Sequence, residues 1–247
     1  MKVLVIGGSK GLGAEITHTF LDRGHDVLVI SRSVGSIEKK WENQDKRLRI
    51  VLADISSYEK FTSFVHMSSI SFEQFDVVVN CLGGNLGERN FLSDYGSYES
   101  VFWHNFGYVV EVNRRCLAGM IDRRFGKICN ISSVSALENH GPPQYGAAKS
   151  ALNAYTKAVG RICAESGVTM FGVMPGALLD SSGYWSRVEK SDPKHFESFR
   201  TTRLPSKRFD SSKHIANLIT FIVEQEDSNI YSGSMLLVDG GISRTYL

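Results

Sequence analysis

The sequence predicts an α/β fold: a single domain with a doubly wound, seven-stranded parallel sheet and helices on both faces. Three observations carry this expectation. Apolar runs of strand length recur at 2–6, 26–30, 48–53, 75–80, 127–132, 168–174 and 235–239. Between them lie longer segments whose apolar residues fall at helical spacing, and strands alternating with helices imply a parallel sheet covered on both sides. A chain of 247 residues with 42% hydrophobic content can bury one large core, so one domain spanning 1–247 is expected.

Val3-Leu4-Val5-Ile6 reads as a strand that runs straight into Gly7-Gly8-Ser9-Lys10-Gly11-Leu12-Gly13, with a helix expected at 11–23. Further helices are expected at 57–67, 97–121 and 144–165. Lys127-Ile128-Cys129-Asn130-Ile131-Ser132 reads as a short buried strand leading into a loop. A last helix at 212–224 follows Asp210-Ser211-Ser212, which are good capping residues. The stretch 177–208 is rich in Ser, Lys, Arg and aromatic residues and is too long for a simple connector, so it is expected to be an irregular substrate lid. No internal repeat or low-complexity tract interrupts this order.

Composition narrows the functional classes. Net charge is only +2 without a long basic run, so nothing calls for nucleic acid. The N-terminal apolar run ends at glycines and reads as a strand rather than a signal peptide, and no apolar stretch approaches ~18 residues, so a cytoplasmic protein without a membrane segment is expected. Cys81, Cys116, Cys129 and Cys163 are widely spaced in apolar surroundings, which favours buried free thiols over disulfides or a metal site. The seven histidines show no ligand spacing, and there is no Gly-x-Ser-x-Gly or His-Glu-x-x-His.

Tyr145 and Lys149 lie four residues apart on one face of a helix, a geometry suited to proton transfer. Tyrosine ionises near pH ~10, so acid–base work near neutrality requires stabilising phenolate by about 4 kcal/mol, part of which a lysine one turn away can supply. Chance alone gives about half of one such pair in a chain of this composition, so its company matters. Ser133 lies twelve residues upstream of the tyrosine, and the glycine turn opens the chain. A strand delivering closely spaced glycines to a helix lets amides and the helix dipole meet a pyrophosphate.

Together these features resemble the short-chain dehydrogenase/reductase family in its single-domain Rossmann form, over essentially the whole chain. The resemblance implies hydride transfer between a nicotinamide and a carbinol or carbonyl carbon, on a small-molecule substrate that is a secondary alcohol or ketone. Tyr145 would be the acid–base, Lys149 would lower its pKa and hold the nicotinamide ribose, and Ser133 would bond the substrate oxygen, with Ser132 as a rival. Asn105 in His104-Asn105-Phe106-Gly107 would complete the set, whereas Asn113 in the same helix reads as an ordinary surface residue.

The spacing Gly7-x3-Gly11-x-Gly13 matches the family pattern, with Ser9, Lys10 and Leu12 between the glycines and Ile6 where a threonine is usual. Ser31-Arg32 ends the second strand with no acid for ribose hydroxyls. Arg32 can pair with a 2′-phosphate, with Lys10 nearby, so NADP(H) is the implied cofactor. By resemblance Asp54 and Ile55 meet the adenine, Asn80 and Gly83 support the nicotinamide ribose, and Pro175, Gly176 and Leu178 meet the carboxamide. Asp180 stands at the usual threonine position, either near the ring or in solvent.

The substrate remains open among a sugar, a nucleotide sugar and a 3-ketoacyl-carrier-protein thioester. A non-catalytic NADP-binding scaffold or sensor is the alternative outside enzymes. Helices 97–121 and 144–165 are where the family pairs subunits, so a homo-oligomer, tetramer or dimer, is implied.

Overall fold

Residues 1–37 and 46–246 are described by the computed structural model. β1 (Lys2–Ile6) sits inside the sheet because Val3, Leu4, Val5 and Ile6 are all fully buried, leaving no face for solvent. Around it run β2 (Asp26–Ser31), β3 (Leu48–Leu52), β4 (Val77–Asn80), β5 (Gly126–Ile131), β6 (Val168–Pro175) and β7 (Met235–Val238). Their order is β3-β2-β1-β4-β5-β6-β7 and every pairing is parallel. The chain leaves β1 towards one edge and returns to the other side of it at β4. That reversal opens a crevice beyond the carboxyl ends of β1 and β4.

The period-2 alternation of strand side chains sorts the core onto two faces. Val3, Val5, Val29, Val79 and Phe171 point to one face, where α1 (Gly11–Asp22) and α8 (Ser212–Glu224) cover them with Ile16, Phe20, Ile215 and Ile219. Leu4, Ile6, Ile30, Val78 and Met170 point to the other, against Phe61 of α2 (Tyr58–Met67), Tyr108, Val112 and Met120 of α4 (Tyr108–Asp122), and Leu152 of α5 (Pro143–Cys163). All four cysteines are free thiols, three of them buried. Among the described residues no helix is long and apolar enough to cross a membrane.

Three expected elements differ. The run 75–80 becomes a strand only from Val77, because Phe75 is buried among the helices of the second face at the end of a 3₁₀ turn. The single helix expected at 97–121 is α3 (Tyr95–Phe102), a π-helical turn (Trp103–Gly107), then α4. Asp94 sets its start by accepting the Ser97 amide at 2.9 Å. The supposedly irregular 177–208 contains α6 (Tyr184–Ser191) and α7 (Pro193–Arg203). Both are too polar to announce themselves by an apolar stripe. They are held by Trp185, whose ring lies 4.0 Å from Phe199 and 5.0 Å from Phe209. Asp192, which accepts the His195 amide at 3.0 Å, and Pro193 at the first turn were the legible start signal.

Candidate active site

The glycine turn is shaped for close approach. Gly7 takes φ +80, and a Cβ on Gly13 would stand 2.1 Å from the Gly7 carbonyl oxygen, so neither position admits a side chain without rebuilding the turn. Ile6, standing where the resemblance has threonine, is fully buried in the second core. Thr17 braces the turn, its hydroxyl donating to Gly8 O at 3.1 Å and Gly13 O at 3.0 Å.

Beside this turn lies a cavity of about 160 Å³ lined by Gly7, Ser9, Lys10, Ile30, Ser31, Arg32, Ser33, Ala53, Ile55, Ser56, Leu82 and His104. Glycine backbone, two flexible cations and apolar Ile55 and Leu82 suit a phosphorylated ribose with a flat base. The cavity brings Gly7, Ser9, Lys10, Ser31, Arg32 and Ile55 together as the sequence suggested. Asp54 turns away: its carboxylate pairs with Lys60 at 2.6 Å and accepts the Ser56 amide at 3.0 Å. The Lys60 and Ser56 bonds hold it down at about 2.

The Asn80 side chain is turned into the interior of the fold. Its Nδ2 donates to Asn113 Oδ1 at 2.8 Å and Asn130 Oδ1 at 2.9 Å, and Asn130 Nδ2 donates to Thr156 Oγ1 at 3.0 Å. This amide network is buried between sheet and helices, so Asn113 is an interior residue rather than a surface one. Pro175 ends β6, Gly176 N donates to Val238 O at 3.2 Å, and Leu178 forms an isolated parallel bridge with Asp210. These bonds aim the chain from β6 over the crevice into the 177–208 segment.

Next to the cavity, α5 presents Tyr145 and Lys149. Lys149 is 3% exposed, its Nζ donates to Ile131 O at 2.8 Å and stands 5.8 Å from the Tyr145 ring centroid, and burial lowers its pKa to about 8. Tyr145 behaves differently from expectation: burial pushes its phenol up, and the influence of Ser133 only partly opposes that. The lysine spends its short bond on Ile131 O. Ser133 accepts the Ser135 amide at 3.1 Å and acts to lower the phenol's pKa, whereas Ser132 donates to Asn153 Oδ1 at 2.5 Å.

Asn105 occupies the π turn and is fully buried. Its Nδ2 donates to Gly84 O and Val101 O, both at 2.8 Å, and its Oδ1 accepts the Gly84 amide at 3.0 Å. Asn105 and Lys149 converge on Gly83, where a Cβ would stand 2.9 Å from Asn105 Oδ1 and 3.0 Å from Lys149 Nζ. Gly83→Ala is therefore expected to lower kcat at least about tenfold by displacing both groups, with KM for cofactor rising less. Steady-state kinetics of the folded variant check this, and an unchanged kcat would remove Gly83 from the site.

Two residues went unnoticed in the sequence. Gln144 is fully buried and its Nε2 donates to Asn90 O at 2.7 Å, tying the 84–94 loop to the start of α5. His104 lines the cavity at 4% exposure with Nδ1 unpartnered. Burial first, then the charges of Arg32 and Lys149, lower its pKa to about 4, so it is neutral at pH 7. A lone helical histidine carries no spacing signal, and only the packing of the π turn shows which way it faces.

A family model described as short chain dehydrogenase matches residues 1–190. The chain is 26% identical over 245 residues to an acetoacetyl-CoA reductase of Allochromatium vinosum, covering 97% of each. It is 26% identical over 243 residues to the 3-oxoacyl-[acyl-carrier-protein] reductase FabG of Vibrio harveyi, covering 97% of this chain and 96% of the other. Its fold is similar to the L-sorbose reductase of Gluconobacter frateurii complexed with NADPH and L-sorbose, with a TM-score of 0.84 at 23% identity, covering 99% of this chain and 97% of that one.

Proposed function

Since the chain belongs to the short-chain dehydrogenase family, we propose that this oxidoreductase interconverts a secondary alcohol and a ketone with NADP(H), using Tyr145 as acid–base. The observation that carries the reading is the joining of two things: a cavity with Arg32 and Lys10 on its wall, and the Ser133, Tyr145, Lys149 and Asn105 group beside it. The cavity residues fit the dinucleotide, because the turn excludes side chains where phosphates would approach and the cations stand where a 2′-phosphate would lie.

The cofactor, when bound, supplies or takes the hydride at the substrate carbon. In the reducing direction Tyr145 Oη gives its proton to the carbonyl oxygen as that oxygen gains charge, and the Ser133 hydroxyl holds the same oxygen in line. The Lys149 ammonium stands one turn below the phenol and stabilises the phenolate left behind. Asn105 keeps Gly83 and Gly84 against the lysine, fixing its position. Gly11, Leu12 and Gly13 would hold the phosphates, with Asn80 acting through the sheet it braces.

For substrate, a β-ketoacyl thioester is supported by the two reductase relatives named above, and a ketose by the fold of the sorbose reductase. Helix ends bearing exposed Ile121 and Ile162 suit the dimer or tetramer of the same reading, in the cytoplasm.

The test is a parallel titration with NADPH and NADH, followed by thermal shift and protein fluorescence, then turnover of acetoacetyl-CoA against ketoses. Tighter binding of NADPH is expected. Arg32→Asp is expected to shift the ratio of the two affinities towards NADH by about 10²-fold through lost pairing and added repulsion. If that ratio does not move, Arg32 is not the selector. Binding of neither dinucleotide would overturn the cofactor reading, and binding of NADPH without turnover would leave the NADP-binding scaffold or sensor.

A further inference from the structure

The lid brings a carboxylate to the glycine turn itself. Gly11, the first residue of α1, has φ +53, and a Cβ on it would stand 3.1 and 3.2 Å from the two carboxylate oxygens of Asp180. The Gly11 amide donates to Ser182 Oγ at 3.0 Å, and the Ser182 amide donates to Asp180 Oδ1 at 3.0 Å. From the other side Ser212, the first residue of α8, donates its hydroxyl to Asp180 Oδ2 at 3.3 Å. The carboxylate therefore lies between the starts of two long helices, whose amides and dipoles favour negative charge. Its partners are the Ser182 amide and the Ser212 hydroxyl, while the Gly11 amide, a donor a phosphate would use, is taken by Ser182 Oγ.

We propose that the Asp180–Ser182 turn is a latch: it occupies the glycine loop in the nucleotide-free protein, and the pyrophosphate of the dinucleotide must displace it to bind. Asp180 then sets cofactor affinity, and cofactor entry and lid release are one event. The coupling is mechanical. Ser186 of α6 bonds the Asp180 carbonyl, and Trp185 beside it packs on Phe199 and Phe209, so a turn that leaves Gly11 carries α6 with it. A latch closed in about nine molecules of ten weakens apparent binding about tenfold. This inference rests on the NADP(H) reading above.

The experiment titrates wild type and Asp180→Asn with three probes: NADPH, 2′-phospho-ADP-ribose, which keeps the pyrophosphate without the nicotinamide, and 2′-AMP, which has no pyrophosphate. The expected result is about tenfold tighter binding of the first two by the variant, with 2′-AMP affinity unchanged. Without nucleotide, amide exchange at 11–13 and 180–186 is expected to speed up in the variant. Ser182→Ala, which removes the acceptor of the Gly11 amide, is expected to act in the same direction and serves if Asp180→Asn does not fold. Equal or weaker binding of the pyrophosphate probes by both folded variants, with 2′-AMP still bound, overturns the latch and leaves the cofactor reading standing. Failure of every protein to bind any probe overturns both.

Discussion

Tyr145→Phe is expected to lower kcat by about 10²–10⁴-fold, the range for loss of a positioned general acid, while NADPH affinity stays within about threefold. The substitution removes one oxygen. That oxygen lies on the helix face that carries Lys149, and Tyr145 is not among the residues lining the cavity. Binding and chemistry should therefore separate. Thermal unfolding is expected to move only a few degrees, since burial already favours the neutral phenol and phenylalanine carries no charge to bury. Steady-state rates with a saturating ketone, beside a binding isotherm for NADPH, check it. A variant that turns over normally would sink the assignment of Tyr145.

Lys149→Met is expected to cost activity on the order of 10³-fold, because the phenolate loses its nearest cation and the π turn loses its neighbour at Gly83. Its effect on stability is the more telling readout. Burial lowers the Lys149 pKa from 10.5 to about 8, so between those values the folded protein binds fewer protons than the unfolded chain. Stability contributed by this group therefore rises with pH from about 8 to 10.5, by about 3 kcal/mol in all. The methionine variant has no such group and should lack that rise. Subtracting its urea-unfolding free energies from those of wild type at pH 7 and pH 10.5 isolates the slope. At neutral pH the variant escapes the cost of the buried ammonium but leaves Ile131 O unpaired, a loss of about 1–3 kcal/mol that offsets most of the gain. A difference that is flat with pH would mean that Lys149 is hydrated in the native state.

Much of the site was legible because its chemistry is local. Tyr145 and Lys149 lie one helical turn apart, so their spacing alone places them on one face. Gly7, Gly11 and Gly13 follow a buried strand, and the missing acid after Ile30 leaves Arg32 at the cavity wall. The side-chain partners of Asp54 and Asn80 were not legible, for a shared reason. Sequence gives a residue's position along a strand end but not the partner that captures its side chain, and here Lys60 took one while Asn113 and Asn130 took the other. The same limit hid α6 and α7, whose helical state depends on Trp185 finding Phe199 and Phe209.

The sequence by itself determined the seven strands, their parallel order of burial, the glycine turn and the helical acid–base pair, since each rests on periodicity or spacing within a few residues. The tertiary structure alone decided that Ser132 bonds Asn153, that burial raises Tyr145, that His104 lines the cavity, and that Asp180 closes on Gly11 across 169 residues of chain. Those outcomes depend on contacts between elements distant in sequence, and desolvation and charge have no value until such neighbours are in place.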